Sequence, residues 1–172
     1  MEKPTLLTRR LKLRSFKPLD IDRLAEILGD PSVMRFIPPR KPLSRNRVEA
    51  AFNSIIAHWK KHGFGRWAVV HAQDDIIIGW CGLNFLDEIS EIEVAYLFDS
   101  KYWGRGLATE AAKEVINYGF RKLKLKKIIA LSFPENIASQ KVMEKIGMTY
   151  EKSILIWGYH LKKYVIDRAR HV

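Results

Sequence analysis

Hydrophobic and polar positions along this chain switch repeatedly between a period of two and a period near 3.6, and the switches mark out its elements. From Thr8 to Phe16, Leu11 and Leu13 alternate with Lys12 and Arg14, as a half-exposed strand requires. Pro18-Leu19-Asp20 then opens a helix whose Ile21, Leu24, Ala25 and Leu28 share one face, and Gly29 stops it. Prolines at 31, 38, 39 and 42 make the next stretch a loop. Ser44 is placed to cap a second helix, with Val48, Ala51, Phe52, Ile55, Ile56 and Trp59 along its buried stripe and Gly63 at its end. Three strand-like runs follow, Arg66 to His71, Ile76 to Phe85 and Ile92 to Phe98. Gln73-Asp74-Asp75 and Leu86-Asp87-Glu88 read as turns between them, so the three predict an antiparallel meander. A helix from Gly106 to Leu123, a strand from Lys127 to Phe133, a helix from Asn136 to Ile146 and two strands around Gly158 complete the pattern. The predicted fold is mixed α/β, with one sheet and helices on both of its faces.

Composition narrows the setting. With 172 residues, 47% of them hydrophobic, and no low-complexity tract, the chain is expected to fold as a single domain over 1–172. Its longest apolar run, Ile76 to Leu86, is interrupted by Gly79, Gly82 and Asn84 and falls short of the roughly twenty residues a membrane helix needs. Met1-Glu2-Lys3-Pro4 lacks the apolar stretch of a secretion signal, and the lone Cys81 has no intrachain disulfide partner, so a cytoplasmic setting is expected. Cys81 reads as a small buried hydrophobe. The five histidines, His58, His62, His71, His160 and His171, show no ligand spacing, and no metal is expected. The net charge of +11 favours anionic partners such as coenzyme phosphates, RNA or acidic proteins. Between Lys101 and Lys127 eight basic residues stand against two acidic ones.

That basic segment contains the main chemical signal. Trp103-Gly104-Arg105-Gly106-Leu107-Ala108-Thr109 lies between the strand ending at Phe98 and a helix carrying Ala111, Ala112, Val115, Ile116 and Gly119. A helix start offers unpartnered N–H groups and the positive end of the macrodipole, and glycine lets a bulky anion approach the backbone. A pyrophosphate suits this loop. The dinucleotide fingerprint is not met, because position 109 is Thr109 and the region twenty residues on is the basic Lys124-Leu125-Lys126-Lys127. The phosphate loop of nucleotide triphosphatases, G-x-x-x-x-G-K-[ST], does not occur.

Further on, Asn136-Ile137-Ala138-Ser139 starts a short amphipathic helix that ends at Gly147. The two segments together resemble the GCN5-related N-acetyltransferase superfamily. The Trp-Gly-x-Gly-x-Ala-Thr-Glu-Ala form and the Asn-x-x-Ser form look most like its protein N-terminal acetyltransferases, which act on ribosomal-protein alanine and serine. The resemblance extends over nearly the whole chain, including Thr8-Arg9-Arg10-Leu11-Lys12-Leu13-Arg14. It implies acetyl-CoA as the acyl donor, with the pyrophosphate on Gly104, Arg105, Gly106, Leu107, Ala108 and Thr109 and with Trp103 packed over the loop. It also implies that the strand ending at Phe98 and the strand from Lys127 diverge to admit the pantetheine arm, that N–H groups near Leu97 and Phe98 polarise the thioester carbonyl, and that Asn136 contacts the arm. Many family members place a proton-donating tyrosine seven residues after that asparagine. Here the position is Met143, which has no proton to give, and Ser139 is the candidate to hydrogen-bond the sulfur, besides acting in the first turn of the helix.

Acyl transfer needs a neutral amine, and Glu93 is the candidate general base: period-two alternation sets Glu91, Glu93, Ala95 and Leu97 on one face and Ile92, Val94, Tyr96 and Phe98 on the other. Glu91, nearer the turn, is the alternative. The acceptor is expected to be a primary amine, either a protein N-terminus or a small amine such as a polyamine, amino acid or antibiotic, in a site shaped by the loop Pro31 to Pro42 and the hairpin near Trp157 and Tyr159. Proximity to ribosomes or RNA through the basic surface, no membrane, and a monomer or homodimer complete the expectations. A basic nucleic-acid-binding module and a coenzyme sensor without catalysis are the rival readings.

Overall fold

In the computed structural model, which describes residues 3–171 apart from the side chain of Arg170, the elements run β1 (Leu6–Leu7), β2 (Leu11–Arg14), α1 (Ile21–Leu28), α2 (Pro31–Met34), α3 (Arg45–His62), β3 (Arg66–His71), β4 (Ile76–Leu86), β5 (Glu91–Phe98), α4 (Leu107–Arg121), β6 (Lys127–Ser132), α5 (Ile137–Lys145), β7 (Thr149–Ile156) and β8 (Tyr159–Asp167). Met1 and Glu2 at the predicted N-terminus, and Val172, lie outside the described residues. The strands form one sheet in the order β1-β2-β3-β4-β5-β6-β8-β7, antiparallel everywhere except between β5 and β6. The predicted meander is present as β3-β4-β5.

The sequence pattern misplaces several details. The strand expected from Thr8 to Phe16 is shorter and is preceded by β1, which folds back on β2 through a turn where the Thr8 N–H donates to the Leu11 carbonyl. The loop expected from Pro31 to Pro42 begins with α2, whose Pro31 occupies the first turn and whose N-cap Asp30 accepts from the Ser32 N–H at 2.8 Å. Ser44 is the N-cap of α3, but its side chain makes no capping hydrogen bond.

Alternation along the strands separates two cores. Val69, Cys81, Leu83, Val94 and Phe98 point toward α4, which buries Leu107, Ala111, Ala112, Val115, Ile116 and Phe120 against them. Each of the larger side chains contributes about 1.5–3 kcal/mol by leaving water. Cys81 is fully buried there, and its surroundings push the thiol pKa up, so it acts as packing. Ala68, Val70, Trp80 and Leu97 face the other way and pack on Leu24, Ile27, Leu28, Val33 and Met34 of α1 and α2. A third cluster around Ile129, Phe133, Ile156 and Leu161 covers the β6-β8-β7 end on that same side. The β5 to β6 junction, between the second and third clusters, is where the sheet opens.

Candidate active site

β5 and β6 touch at one register position, Glu93 opposite Ile129, and part beyond it toward Phe98. Because the ladder stops, a cleft of roughly 740 Å³ passes through the sheet and is lined by residues from both of its faces. On the α4 side it meets Tyr96, Phe98, Gly104, Gly106, Leu107 and Thr109, with Asn136, Ser139 and Met143 of the α5 segment. On the opposite side it meets Val33, Phe36, Arg66, Trp80, Glu93 and Leu97.

The α4 side is shaped by backbone. Gly104 and Gly106 both take positive φ, +74° and +75°, and Gly106 is the N-cap of α4. A Cβ at Gly104 would meet nothing within 4 Å, and one at Gly106 only the Arg10 Nη2 at 3.7 Å, so open space lies in front of the N-terminal N–H groups of a 15-residue helix. Those features fit a pyrophosphate. The loop is held from behind: Glu110, in the first turn of α4, accepts from the Thr8 hydroxyl at 2.6 Å, the Arg10 N–H at 2.8 Å and the Arg10 Nε at 2.7 Å, while Arg10 Nη1 donates to the Arg105 carbonyl at 2.9 Å. The Arg105 guanidinium turns away over the Tyr102 ring, 5.0 Å from its centroid, and is the one predicted loop residue that does not line the cleft. Trp103, 52% exposed, is pinned by its indole N–H to the Phe98 carbonyl at 2.8 Å.

The Asp99 N–H donates to the Ile78 carbonyl of β4 at 2.7 Å. Strand N–H groups alternate in direction, so that of Leu97 also faces β4 and that of Phe98 faces the gap. Of the two N–H groups expected to polarise a carbonyl, Phe98 is therefore the one placed to do so, and Leu97 contributes its side chain to the wall.

Glu93 is only 6% exposed, and burial pushes its carboxyl up to about 7, against the opposing pull of Arg66 and of an Asn84 side-chain N–H at 3.5 Å. A carboxylate that titrates near neutrality beside a cleft is suited to taking a proton from an ammonium. Glu91 differs: although burial alone would raise its pKa, ion pairs with Lys127 and Lys163 hold it below the usual range. Its charge is already committed.

Asn136 caps α5 by accepting from the Ser139 N–H at 3.2 Å. The Ser139 hydroxyl lies 2.9 Å from the Tyr96 hydroxyl, which also donates to the Ser139 carbonyl at 3.1 Å. Burial pushes the Tyr96 pKa up, so it keeps its proton. Sequence reasoning missed Tyr96, because it lies on the face of β5 opposite Glu93. The open ladder lets both faces reach one cavity. Its only signal was a tyrosine inside an otherwise apolar set of alternating positions.

A family model described as an acetyltransferase (GNAT) domain matches residues 10–149. The chain belongs to the GNAT acetyltransferase family. It is 32% identical to the uncharacterised N-acetyltransferase p20 of Bacillus licheniformis, over 92% of this chain and 89% of that one. A GNAT-family acetyltransferase from Bacillus anthracis superposes with a TM-score of 0.83 at 27% identity, covering 96% of this chain and 99% of that chain. A ribosomal-protein-S5-alanine acetyltransferase from Vibrio fischeri shares the fold at 18% identity, with a TM-score of 0.80 over 98% and 99% of the two chains. As a GNAT member the chain is an acetyl-CoA-dependent N-acetyltransferase, with the mixed sheet of that fold. Among the described residues no helix is long and apolar enough to cross a membrane, and no group of three or more His, Cys, Asp or Glu is arranged to hold a metal ion.

Proposed function

We propose that this GNAT enzyme works as one domain and acetylates a primary amine bearing a single positive charge, with Glu93 as general base. The observation that carries this reading is the buried Glu93 carboxyl beside a cleft that opens through the sheet onto the start of α4. Acetyl-CoA, when bound, supplies the thioester whose C–S bond breaks as the C–N bond forms. Glu93 accepts the proton that the ammonium must lose. The Phe98 N–H stabilises charge gathering on the carbonyl oxygen. The Ser139 hydroxyl, backed by Tyr96, holds a proton where the departing sulfur needs one, a role the side chain of Met143 has no atom to fill.

Among the described residues lining the cleft, Glu93 is the one carboxylate. A polyamine carries several separated charges and is best held by several acids, so this wall favours a monoamine. The α-amine of a protein N-terminus, that of a ribosomal protein included, and a small monoamine both meet that description. Thiol release from acetyl-CoA, measured with N-terminal peptides, simple monoamines and spermidine, tests it: turnover is expected with the first two groups, and spermidine as the best acceptor would overturn it.

A further inference from the structure

The acceptor half of the cleft contains a second charged group that transfer to a plain amine does not use. Arg66, the first residue of β3, lines the cleft with its guanidinium 4.3 Å from the centroid of the Trp80 ring. Its Nε is buried without a hydrogen-bond partner, and among the described residues no carboxylate forms an ion pair with it. A guanidinium presents five donors in a planar fork that matches a carboxylate, and leaving one of them, the Nε–H, buried and unpaired is costly.

Strand register places Arg66 relative to Glu93. Arg66 pairs with Gly82 and Gly82 with Ala95, while Glu93 pairs with Asn84, one step along the same face. On that face the backbone of β3 closes over Gly82, Asn84 sits beside Glu93, and the small side chain of Ala95 is what separates the two charges along β5. Of the apolar walls around them, Phe36 and Leu97 carry no polar side-chain group, and Trp80 meets Arg66 with its ring face, which leaves the guanidinium donors free for an anion. The rim repeats the sign of Arg66: Arg35 and Arg40 line an adjoining recess that shares Ser32, Phe36 and Trp103 with the cleft. Basic residues at a mouth raise the local concentration of anionic ligands.

We infer that the acceptor carries a carboxylate a few atoms from its amine, with the carboxylate bound by Arg66 and the amine presented to Glu93. This rests on the amine-acetylating reading above and specifies its substrate class. Such a carboxylate has two sources, a free amino acid or an acidic side chain at the start of a peptide. Occupation of Arg66 by the acceptor also removes the cation that opposes protonation of Glu93, so the base becomes stronger when the right acceptor is bound.

Matched acceptors test this, each amino acid set against its amide and each acidic-first peptide against its Gln- or Asn-first counterpart, with kcat/KM read by thiol release. The wild-type protein is expected to prefer the carboxylate member of at least one set by about tenfold or more. Whichever set shows the preference names the source. Arg66→Gln should bring that ratio close to one and Arg66→Lys should restore part of it, with thermal stabilisation by acetyl-CoA reporting that each variant is folded. Amides and neutral peptides turned over as well as, or better than, their acids would overturn the inference and leave amine acetylation standing. No turnover of any amine, with acetyl-CoA still binding, would remove the parent reading and this one with it.

Discussion

The two halves of the cleft are built from different materials. On the α4 side the features that fit a pyrophosphate are backbone, two glycines at positive φ and the N–H groups of a helix start, with the hydroxyls of Tyr96 and Ser139 beyond them. On the opposite side everything is side chain, contributed by segments far apart in sequence: Phe36 after α2, Arg66 on β3, Trp80 on β4, Glu93 on β5 and Trp157 between β7 and β8. Backbone recognition suits a constant ligand, because any sequence that makes the turn makes the site. Side-chain recognition suits an acceptor that differs from one relative to the next. Substitutions on the two sides should therefore affect different kinetic constants.

The largest separation is expected from Glu93→Gln, which keeps the shape of the wall and removes the proton acceptor. It should lower kcat/KM for the acceptor by about 10²–10⁴-fold while calorimetry finds acetyl-CoA affinity nearly unchanged. Gly106→Val breaks the other half. Its Cβ clashes with little in the protein itself, but a branched side chain at φ +75° both strains the turn and intrudes on the open space that would take a pyrophosphate. Acetyl-CoA affinity should fall by about tenfold or more while the circular dichroism spectrum stays close to wild type.

Tyr96→Phe sharpens the boundary between the halves, since Tyr96 shares the cavity with Glu93 but faces α5. A loss of about tenfold in kcat is expected, with Ser139→Ala giving a similar loss and the double variant little more, as for two members of one proton path. Full activity in both single variants would separate them from the chemistry.

The effect on stability, read outside the reaction itself, has a defined sign. The carboxyl of Glu93 is raised by burial from 4.5 to about 7, so its contribution is present below pH 4.5 and is lost as pH rises through 7. Keeping it ionised above pH 7 costs on the order of 3 kcal/mol. Glu93→Gln is accordingly expected to melt a few degrees higher than wild type at pH 8 and no higher at pH 4; equal melting curves at pH 8 would show that the carboxyl is not strained by its surroundings.

The same contrast explains what could be read from the sequence. The start of α4, the Asn136 cap and the face of β5 bearing Glu93 are set by neighbours in sequence, through glycine conformation, capping and strand alternation, and each was legible. Arg66 and Tyr96 come to line one cleft only because the β5 to β6 ladder ends after one pair, and no local pattern encodes where a ladder ends. The Thr8–Arg10–Glu110 network that fixes the glycine loop spans about a hundred residues and was invisible for the same reason. Within Pro31 to Pro42, four prolines outweighed the capping signal of Asp30, and the turn of helix they allow went unpredicted.

The most direct test is the pH dependence of kcat/KM for the acceptor, at saturating acetyl-CoA, in the wild-type protein and in Glu93→Gln. Wild-type activity should rise about tenfold per pH unit on the acid side and level off near pH 7, where the buried Glu93 carboxyl titrates, and that limb should be missing from the variant. A wild-type limb near pH 4.5, as for an ordinary exposed carboxylate, or the same limb in both proteins, would contradict the account.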